Sequence, residues 1–506
     1  MDSSTLRLHH SDNVVVALRP LELGEVLVAE QKLSIHSSIP KGHKIALSAI
    51  KSGQPVYKYN QIIGFATNDI IAGDHVHVHN CGMGEFDKDY AFGSAVQPVT
   101  MLATDQRRTF MGYRRPNGKA GTRNYIGLIA SVNCSATVVR FIAEQINQSG
   151  VLEKYPNIDG IVPIHHGTGC GMANSGEGYD NLKRAISGYI NHPNFGAILL
   201  VGLGCEVMQL KYLVSEKDNN PLLQHMTIQQ TGGTSKTIKA GVAAVTAMLK
   251  NANALQREEI PISELTLALQ CGGSDGYSGI TANPALGRAA DLLIASGGTA
   301  ILSETSEIFG AEHLLTRRAV SKRVGQKIID RIDWWRDYTH KNGGSMNNNP
   351  SPGNIAGGLT TILEKSLGAV AKGGSTPLQD FYLYAEPIDK KGFVFMDSPG
   401  FDPCSVTGQV ASGANIVCFT TGRGSAFGFK PVPSIKLATN SEMYRHQQED
   451  MDINCGDIVD ANVTIDQKAQ QILDYIIAIA SGDQSKSEAL GYGDSEFVPW
   501  QIGAVM

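Results

Sequence analysis

Tyr125-Ile-Gly-Leu-Ile-Ala-Ser-Val-Asn-Cys134 decides the fold: an unbroken apolar run of strand length passes directly into Ser135–Gln148. There Val138, Val139, Ile142 and Ile146 fall at helical spacing. A strand apolar on both faces needs cover on both faces, so this junction predicts a parallel sheet between helices. The alternation continues. Ile158–Ile164 and Ala197–Leu203 read as buried strands, and Lys236–Leu249 as a helix with Ile238, Val242, Val245 and Met248 on one face. A second block opens at Leu265–Leu269, with strands expected at Ala300–Leu302, Phe393–Met396, Ile416–Phe419 and Ser434–Leu437. Helices are expected between them, among them Val320–Tyr338 and Gln467–Ser481. Working backwards, the first 92 residues carry only short, mostly alternating runs: Val14–Leu18, Glu25–Val28, Lys32–Ile35, Pro55–Tyr59 and Asp74–Val78. The fold class is therefore α/β. A small β domain spans 1–92, a linker 93–115, an α/β middle domain 116–258 and a second parallel-sheet domain 259–506.

The chain has 506 residues, of which 55 are glycine, and a formal net charge of −5. Glycine without a Gly-X-Y period or excess proline excludes a collagen-like reading, and the charge argues against a basic nucleic-acid surface. No apolar run reaches the length of a membrane span, and the polar stretch Met1–Asn13 lacks the core of a signal peptide. A cytoplasmic protein with no nucleic-acid or membrane partner is expected. The eight cysteines include no C-x-x-C, so neither a zinc ribbon nor a compact disulfide framework fits.

Chemistry gathers where strands end. Cys134, Cys170, Cys205 and Cys271 each follow a predicted strand, with glycines beside them. Ligand crevices of open α/β sheets lie at these carboxyl ends, and thiolates suit iron, iron–sulfur clusters or zinc. Each cysteine also reads as a small buried residue. Asp275, Glu304 and Lys436 close or follow other strands. Arg423, in Thr421-Gly-Arg-Gly424, suits a bidentate grip on a carboxylate, or a surface ion pair. Asp74-His-Val-His-Val-His79 alternates strictly, which on a strand would put three imidazoles on one face, as metal ligands, as a base or as a solvated edge. His43 lies in a turn.

Two motifs compete. Gly202-Leu-Gly204 lacks the third glycine of a dinucleotide fingerprint, since Val207 stands there. Gly272-Gly-Ser-Asp-Gly276 matches G-x-S-x-G, so a serine hydrolase using Ser274 with His313, His340 or His446 is an alternative from another class. A non-catalytic small-molecule-binding protein is a further one.

Longer strings are more specific. Cys271-Gly-Gly-Ser-Asp-Gly-Tyr-Ser-Gly-Ile-Thr-Ala-Asn-Pro284, Gly202-Leu-Gly-Cys-Glu206, Asn349-Pro-Ser-Pro-Gly-Asn354, Thr421-Gly-Arg-Gly424, Gly42-His-Lys44 and His77-Val-His-Asn80 together resemble the altronate/galactarate dehydratase family. His77-Val-His-Asn80 is closer to the altronate branch. Lys154-Tyr-Pro-Asn-Ile-Asp-Gly160 and Met451-Asp-Ile-Asn454 are closer to the galactarate branch. The resemblance implies an N-terminal β-clip (SAF-like) domain, a linker, a dimerising middle domain and a Rossmann-like C-terminal domain. It also implies a homodimer that dehydrates a sugar acid, altronate to 2-keto-3-deoxygluconate or an aldarate such as galactarate. A divalent metal is implied as well, usually iron: Fe2+, with Mn2+ or an iron–sulfur cluster as alternatives. On that basis the metal is expected on Cys134, Cys170, Cys205 and Cys271. His77, His79, Asp275 and Glu304 would be catalytic, and His43, Arg423 and Lys436 would bind substrate.

Overall fold

The computed structural model describes residues 4–28, 31–214 and 222–505; Met1, Asp2 and Ser3 of the polar amino-terminal stretch lie outside them. The decisive run becomes β1 (Tyr125–Ala130), buried along its whole length at the centre of a parallel sheet. β2 (Gly160–Ile164) pairs on one side of it, β3 (Phe195–Gly202) on the other, and β4 (Leu223–Thr227) outside β3. Helix α1 (Ala136–Gln148) buries Val138, Val139, Ile142 and Ile146 against Ile126 and Leu128, as its spacing predicts. The opposite face, through Ile129, Ile198 and Leu200, is covered by α2 (Glu177–Ile190). Helix α3 (Thr234–Ala252) joins α1 on the first face.

The second sheet has seven parallel strands: β5 (Thr266–Cys271), β6 (Thr299–Leu302), β7 (Leu378–Tyr382), β8 (Gly392–Met396), β9 (Ile416–Thr421), β10 (Ser434–Ala438) and β11 (Ile453–Asn454). Their order is β7-β8-β6-β5-β9-β10-β11. Helices α4 (Ala282–Ala295), α5 (Lys322–Lys341), α6 (Ile362–Ala371), α7 (Asp402–Ala411) and α8 (Ile465–Ala480) surround it. α7 packs on α2, so Val406 and Val410 share one core with Leu182 and Ile186, and the two sheets are joined through it.

The predicted central strands are present, whereas β4 and β7 carry no apolar signature. Their sequences, Leu-Gln-His-Met-Thr and Leu-Gln-Asp-Phe-Tyr, belong to sheet edges with one half-exposed face. The stretch 93–115 also contains regular structure: Thr109–Arg114 is a strand that pairs with Glu258–Pro261 between the two sheets. The first 82 residues form short antiparallel strands, including Val14–Ala17, Lys44–Ala46, Pro55–Lys58 and Gln61–Ala66. The expected strand Asp74–Val78 is shorter. Only His75–Val76 pairs; the chain then turns, with Asn80 and Cys81 donating their N–H groups to the His77 carbonyl. Val76 is buried but Val78 is exposed, so strand alternation stops at 76.

Candidate functional site

In the large sheet the chain begins at β5, places β6 on one side, and later β9 on the other. The strand order therefore reverses at the carboxyl ends of β5 and β9, where a crevice opens. The loop after β9 is tied to the loop after β5 by Gly422 N–H and Arg423 N–H, which donate to the Gly273 carbonyl at 3.0 and 2.9 Å. Gly422 is required there, since a β-carbon would lie 2.1 Å from the Asp275 carboxyl carbon. Asp275 is buried. Its Oδ1 accepts from Thr439 Oγ1 (2.9 Å), Ser278 Oγ (3.0 Å) and the Tyr277 N–H (3.1 Å), and its Oδ2 from Asn440 Nδ2 (3.1 Å). Burial raises its pKa above the ordinary carboxylate value despite those donors. Asp275, the exposed Arg423, Lys41, Tyr277 and His446 line a cavity of about 410 Å³. A larger cleft of about 660 Å³ touches Thr266, Thr299 and Asn415, at the amino-terminal ends of the strands, opposite the edge where such sheets bind ligands.

The small β domain closes over this crevice. Gly42 packs against Tyr277 and Gly357, and the His43 imidazole Nε2 sits 3.3 Å from the carbonyl of Ala356, a residue of the cavity wall. His43 Nδ1 lies 3.0 Å from His75 Nε2. Ligand nitrogens of His43, His75 and His77 all fall within 4.8 Å of one another. Burial, with adjacent imidazoles and Lys44 adding to it, pulls His75 down to about 3 and His77 down to about 4; His43 is lowered chiefly by burial. The rings are neutral near pH 7, and the buried Nδ1 of His77 has no hydrogen-bond partner. His79 stays outside this trio and exposed, its ring 5.4 Å from that of His75. Beneath it, Lys44 and Lys58 of the small domain reach Glu364 of α6 at 2.9 Å each, all three fully buried.

A second enclosed group stands at the ends of β5 and β6. Cys271 Sγ lies 2.8 Å from Lys372 Nζ and 3.7 Å from Glu307 Oε2. Glu307 pairs with Lys365 at 2.8 Å. Glu304 is buried, holds a left-handed backbone (φ 70°), and neither carboxylate oxygen has a hydrogen-bond partner. Lys372 Nζ is 3.7 Å away. Burial, reinforced by Glu307, raises the Glu304 pKa well above the usual carboxylate range. Burial would push Glu307 the same way, but Lys365 and Lys372 hold it down. Asp402, at the first turn of α7, is pushed up to about 6, again chiefly by burial.

The four cysteines do not form one set. Cys134, Cys170 and Cys205 are exposed beyond β1, β2 and β3. Cys271 belongs to the other sheet, already has an ammonium at its sulfur, and burial pushes its thiol up to about 12. Lys436 does not line the cavity: it lies within β10, not at its end, and its Nζ is spent on the Ser425 carbonyl (3.0 Å). Ser274 is buried, and among the described residues no hydrogen bond joins it to His313, His340 or His446; His313 is held by Gln61 instead.

Three family sequence models match in series. "Altronate/galactarate dehydratase SAF domain" covers residues 3–84, "D-galactarate dehydratase/Altronate hydrolase, second domain" 112–253, and "D-galactarate/Altronate dehydratase, C-terminal" 262–505. The chain is 38% identical over 483 residues to altronate dehydratase of Bacillus subtilis (strain 168), covering 95% of each chain. The chain belongs to the altronate/galactarate dehydratase family. It is 35% identical to altronate dehydratase of Escherichia coli (strain K12), covering 96% of each chain. It is 34% identical to the galactarate dehydratase (L-threo-forming) of the same organism, over 94% of this chain and 92% of that one. The family is one of hydro-lyases, and the chain is an enzyme of that class. Its strand-rich beginning is the family's SAF domain. Among the described residues no helix is long and apolar enough to cross a membrane.

Sequence reading missed Lys58, Glu364, Glu307, Lys365, Lys372 and Asp402, and quoted Lys44 only within a family string. One signal was present: Lys365 on α6 and Lys372 at its carboxyl cap stand seven apart, two turns on the same face. Asn349 and Asn354, quoted only as family string, prove to be site residues. Asn349 Oδ1 accepts from Lys365, and Asn354 Nδ2 donates to the Ser274 carbonyl at 2.8 Å.

Proposed function

We propose that this enzyme dehydrates a sugar acid, with altronate as first substrate and galactarate or another aldarate as the alternative. The observation that carries the reading is the cavity at the β5–β9 switch point, where Arg423 faces a buried, proton-accepting Asp275 and the small domain brings neutral imidazoles behind the wall. Two relatives named altronate dehydratase favour the aldonate.

Arg423 grips the substrate carboxylate bidentately. Asp275 Oδ2, which has only one donor, takes the proton α to that carboxylate. Asp275 then returns that proton to the departing C3 hydroxyl, which leaves as water, and the enol tautomerises to the 2-keto-3-deoxy acid; Glu304 lies outside the cavity wall. Acid–base help contributes about 10²–10⁴-fold, or roughly 3–5 kcal/mol, against the roughly 8–23 kcal/mol that enzymes typically remove. Electrostatic stabilisation of the enediolate is therefore needed. The divalent ion implied by the family resemblance fits His43, His75 and His77: neutral nitrogen donors, one of them orphaned. Bound there, it would supply Lewis-acid stabilisation. The eight free cysteines suit a reduced cytoplasmic setting, and the middle domain is the proposed dimer contact.

The test is anaerobic turnover with Fe2+ and reductant on altronate, galactarate, glucarate, mannonate and sulfolactate. A 2-keto-3-deoxy acid from altronate is expected; no such product from any of the sugar acids overturns the reaction class. Arg423→Met is expected to raise KM at least tenfold, whereas Lys436→Met leaves KM within twofold.

A further inference from the structure

We propose that the cleft between the middle and C-terminal domains binds a small polyanion, a phosphate ester or a polycarboxylate, at a site separate from the Arg423 cavity.

The cleft holds about 660 Å³, a volume typical of a small-molecule site, and lies at a domain boundary, where such sites collect. Ala120 and Pro193 line it from one domain, and Thr266, Thr299 and Asn415 from the other. Its floor is fixed by hydrogen bonds. Asn415 Nδ2 donates to the Ala120 carbonyl at 3.2 Å and to the Glu264 carbonyl at 3.1 Å, and Asn415 Oδ1 accepts from the Thr266 N–H at 2.9 Å. One wall is fixed by packing. Helices α2 and α7 approach so closely that a β-carbon on Gly188 would lie 2.3 Å from the Ala411 carbonyl oxygen.

Two hydroxyls are left over in that floor. Thr266 and Thr299 open β5 and β6, pair in register and so share one face of the sheet. Both line the cleft, and Thr299 is buried. Among the described residues neither hydroxyl has a hydrogen-bond partner. Buried polar groups ordinarily have one, and an oxygen-bearing ligand in the cleft supplies it.

Charge sets the class of that ligand. Five cationic side chains line the cleft against three acids, Asp180, Glu264 and Asp389. His192 adds no charge at neutral pH, since burial pulls it down to about 4. Two of the cations are engaged with backbone: Arg184 Nε donates to the Tyr384 carbonyl at 2.8 Å, and Lys391 Nζ to the Ser263 carbonyl at 2.7 Å. The other three, Lys119, Lys183 and Lys390, come from separate segments of the chain. Their ammoniums make no hydrogen bond or ion pair among the described residues. The chain as a whole is negative, at −5, so this positive concavity is a local departure that attracts anions. Lysines bind phosphate and carboxylate groups as point charges, and the threonine hydroxyls donate to further oxygens. A ligand with two negative charges cancels the excess; a neutral sugar does not. The cleft stands at the amino-terminal ends of the strands, so it is not the reaction's crevice.

The test is isothermal titration calorimetry of the full chain with glycerol 3-phosphate, with tricarballylate and, as a neutral control, with glycerol. At least one of the two anions is expected to bind once per chain, and glycerol not at all. Binding of the phosphate alone assigns the site to phosphate esters, and of tricarballylate alone to polycarboxylates. Lys183→Met and Lys390→Met together should weaken binding at least tenfold, and Thr299→Val at least threefold, with unchanged far-ultraviolet circular dichroism. Arg423→Met should leave it within twofold. No binding of either anion at millimolar concentration overturns the proposal, as does equal binding of glycerol. Loss of binding in Arg423→Met with retention in the lysine variant overturns it too, because the anion then sits in the Arg423 cavity. None of these failures touches the dehydratase reading, which rests on turnover.

Discussion

Glu364 and Glu304 are both fully buried carboxylates facing lysines in the same domain, and they are treated in opposite ways. Glu364 accepts from Lys44, Lys58, the Thr360 N–H and the Thr360 hydroxyl. Burial alone would raise its pKa, but the two ammoniums hold it well below the ordinary range. Glu304 has a lysine at 3.7 Å, no hydrogen bond to its carboxylate and a strained backbone. A fully bonded charge holds the SAF domain on the C-terminal domain; an unbonded acid at a sheet edge costs stability, and such strain collects at functional sites.

The largest effect should come from Glu364→Gln. It leaves two buried ammoniums around a neutral amide, and breaking a buried pair this way costs about 3–5 kcal/mol. Urea unfolding should show that loss. A loss under 1 kcal/mol would remove the contrast. Glu304→Gln replaces the acid with its neutral isostere, so near pH 4, where the carboxyl keeps most of its protons even in the unfolded chain, stability should stay within about 1 kcal/mol. Equal stability losses in the two variants would mean that both carboxylates are structural.

The contrast is invisible in the sequence. Glu364 sits on a helix and Glu304 ends a strand, and nothing local says that one meets Lys44 and Lys58, some 300 positions away. What could be read was periodic: β1 with α1, and the central strands of both sheets, because two-sided burial enforces continuous apolar runs. That Cys134, Cys170, Cys205, Asp275 and Arg423 follow strand ends was legible, because the apolar runs stop where burial on both faces stops. His75 and His77 do converge with His43, although the alternation that suggested a shared face ends at Val76 and a turn does the placing. Lys436 misled because a strand-end argument was applied to a residue inside the strand.

The pH dependence separates the two carboxylates further. Glu364 has a depressed folded pKa, so its contribution is complete above the unfolded value of about 4.3 and is lost as pH falls through the folded value. Glu304 has a raised folded pKa: above about pH 4.3 the unfolded chain releases a proton that the folded chain keeps, so stability falls by up to about 1.4 kcal/mol per pH unit. Glu304→Gln should therefore gain on the wild type as pH rises from 5 to 8, and Glu364→Gln should approach it below pH 4. Parallel curves for both variants would show that the two groups share one titration.

The largest change at the triad should cost less than the single one. Lys44→Met, Lys58→Met and Glu364→Leu made together remove every charge of the interdomain triad. No ion is then left buried without a partner, which is the term that dominates Glu364→Gln. What remains is the loss of partners at the Gly358 carbonyl and the Thr360 N–H, about 1–3 kcal/mol in all. The triple variant should thus unfold at higher urea than Glu364→Gln alone. If it unfolds earlier, the triad contributes attraction beyond the cost of burying its charges, and Glu364 is stabilising in its own right.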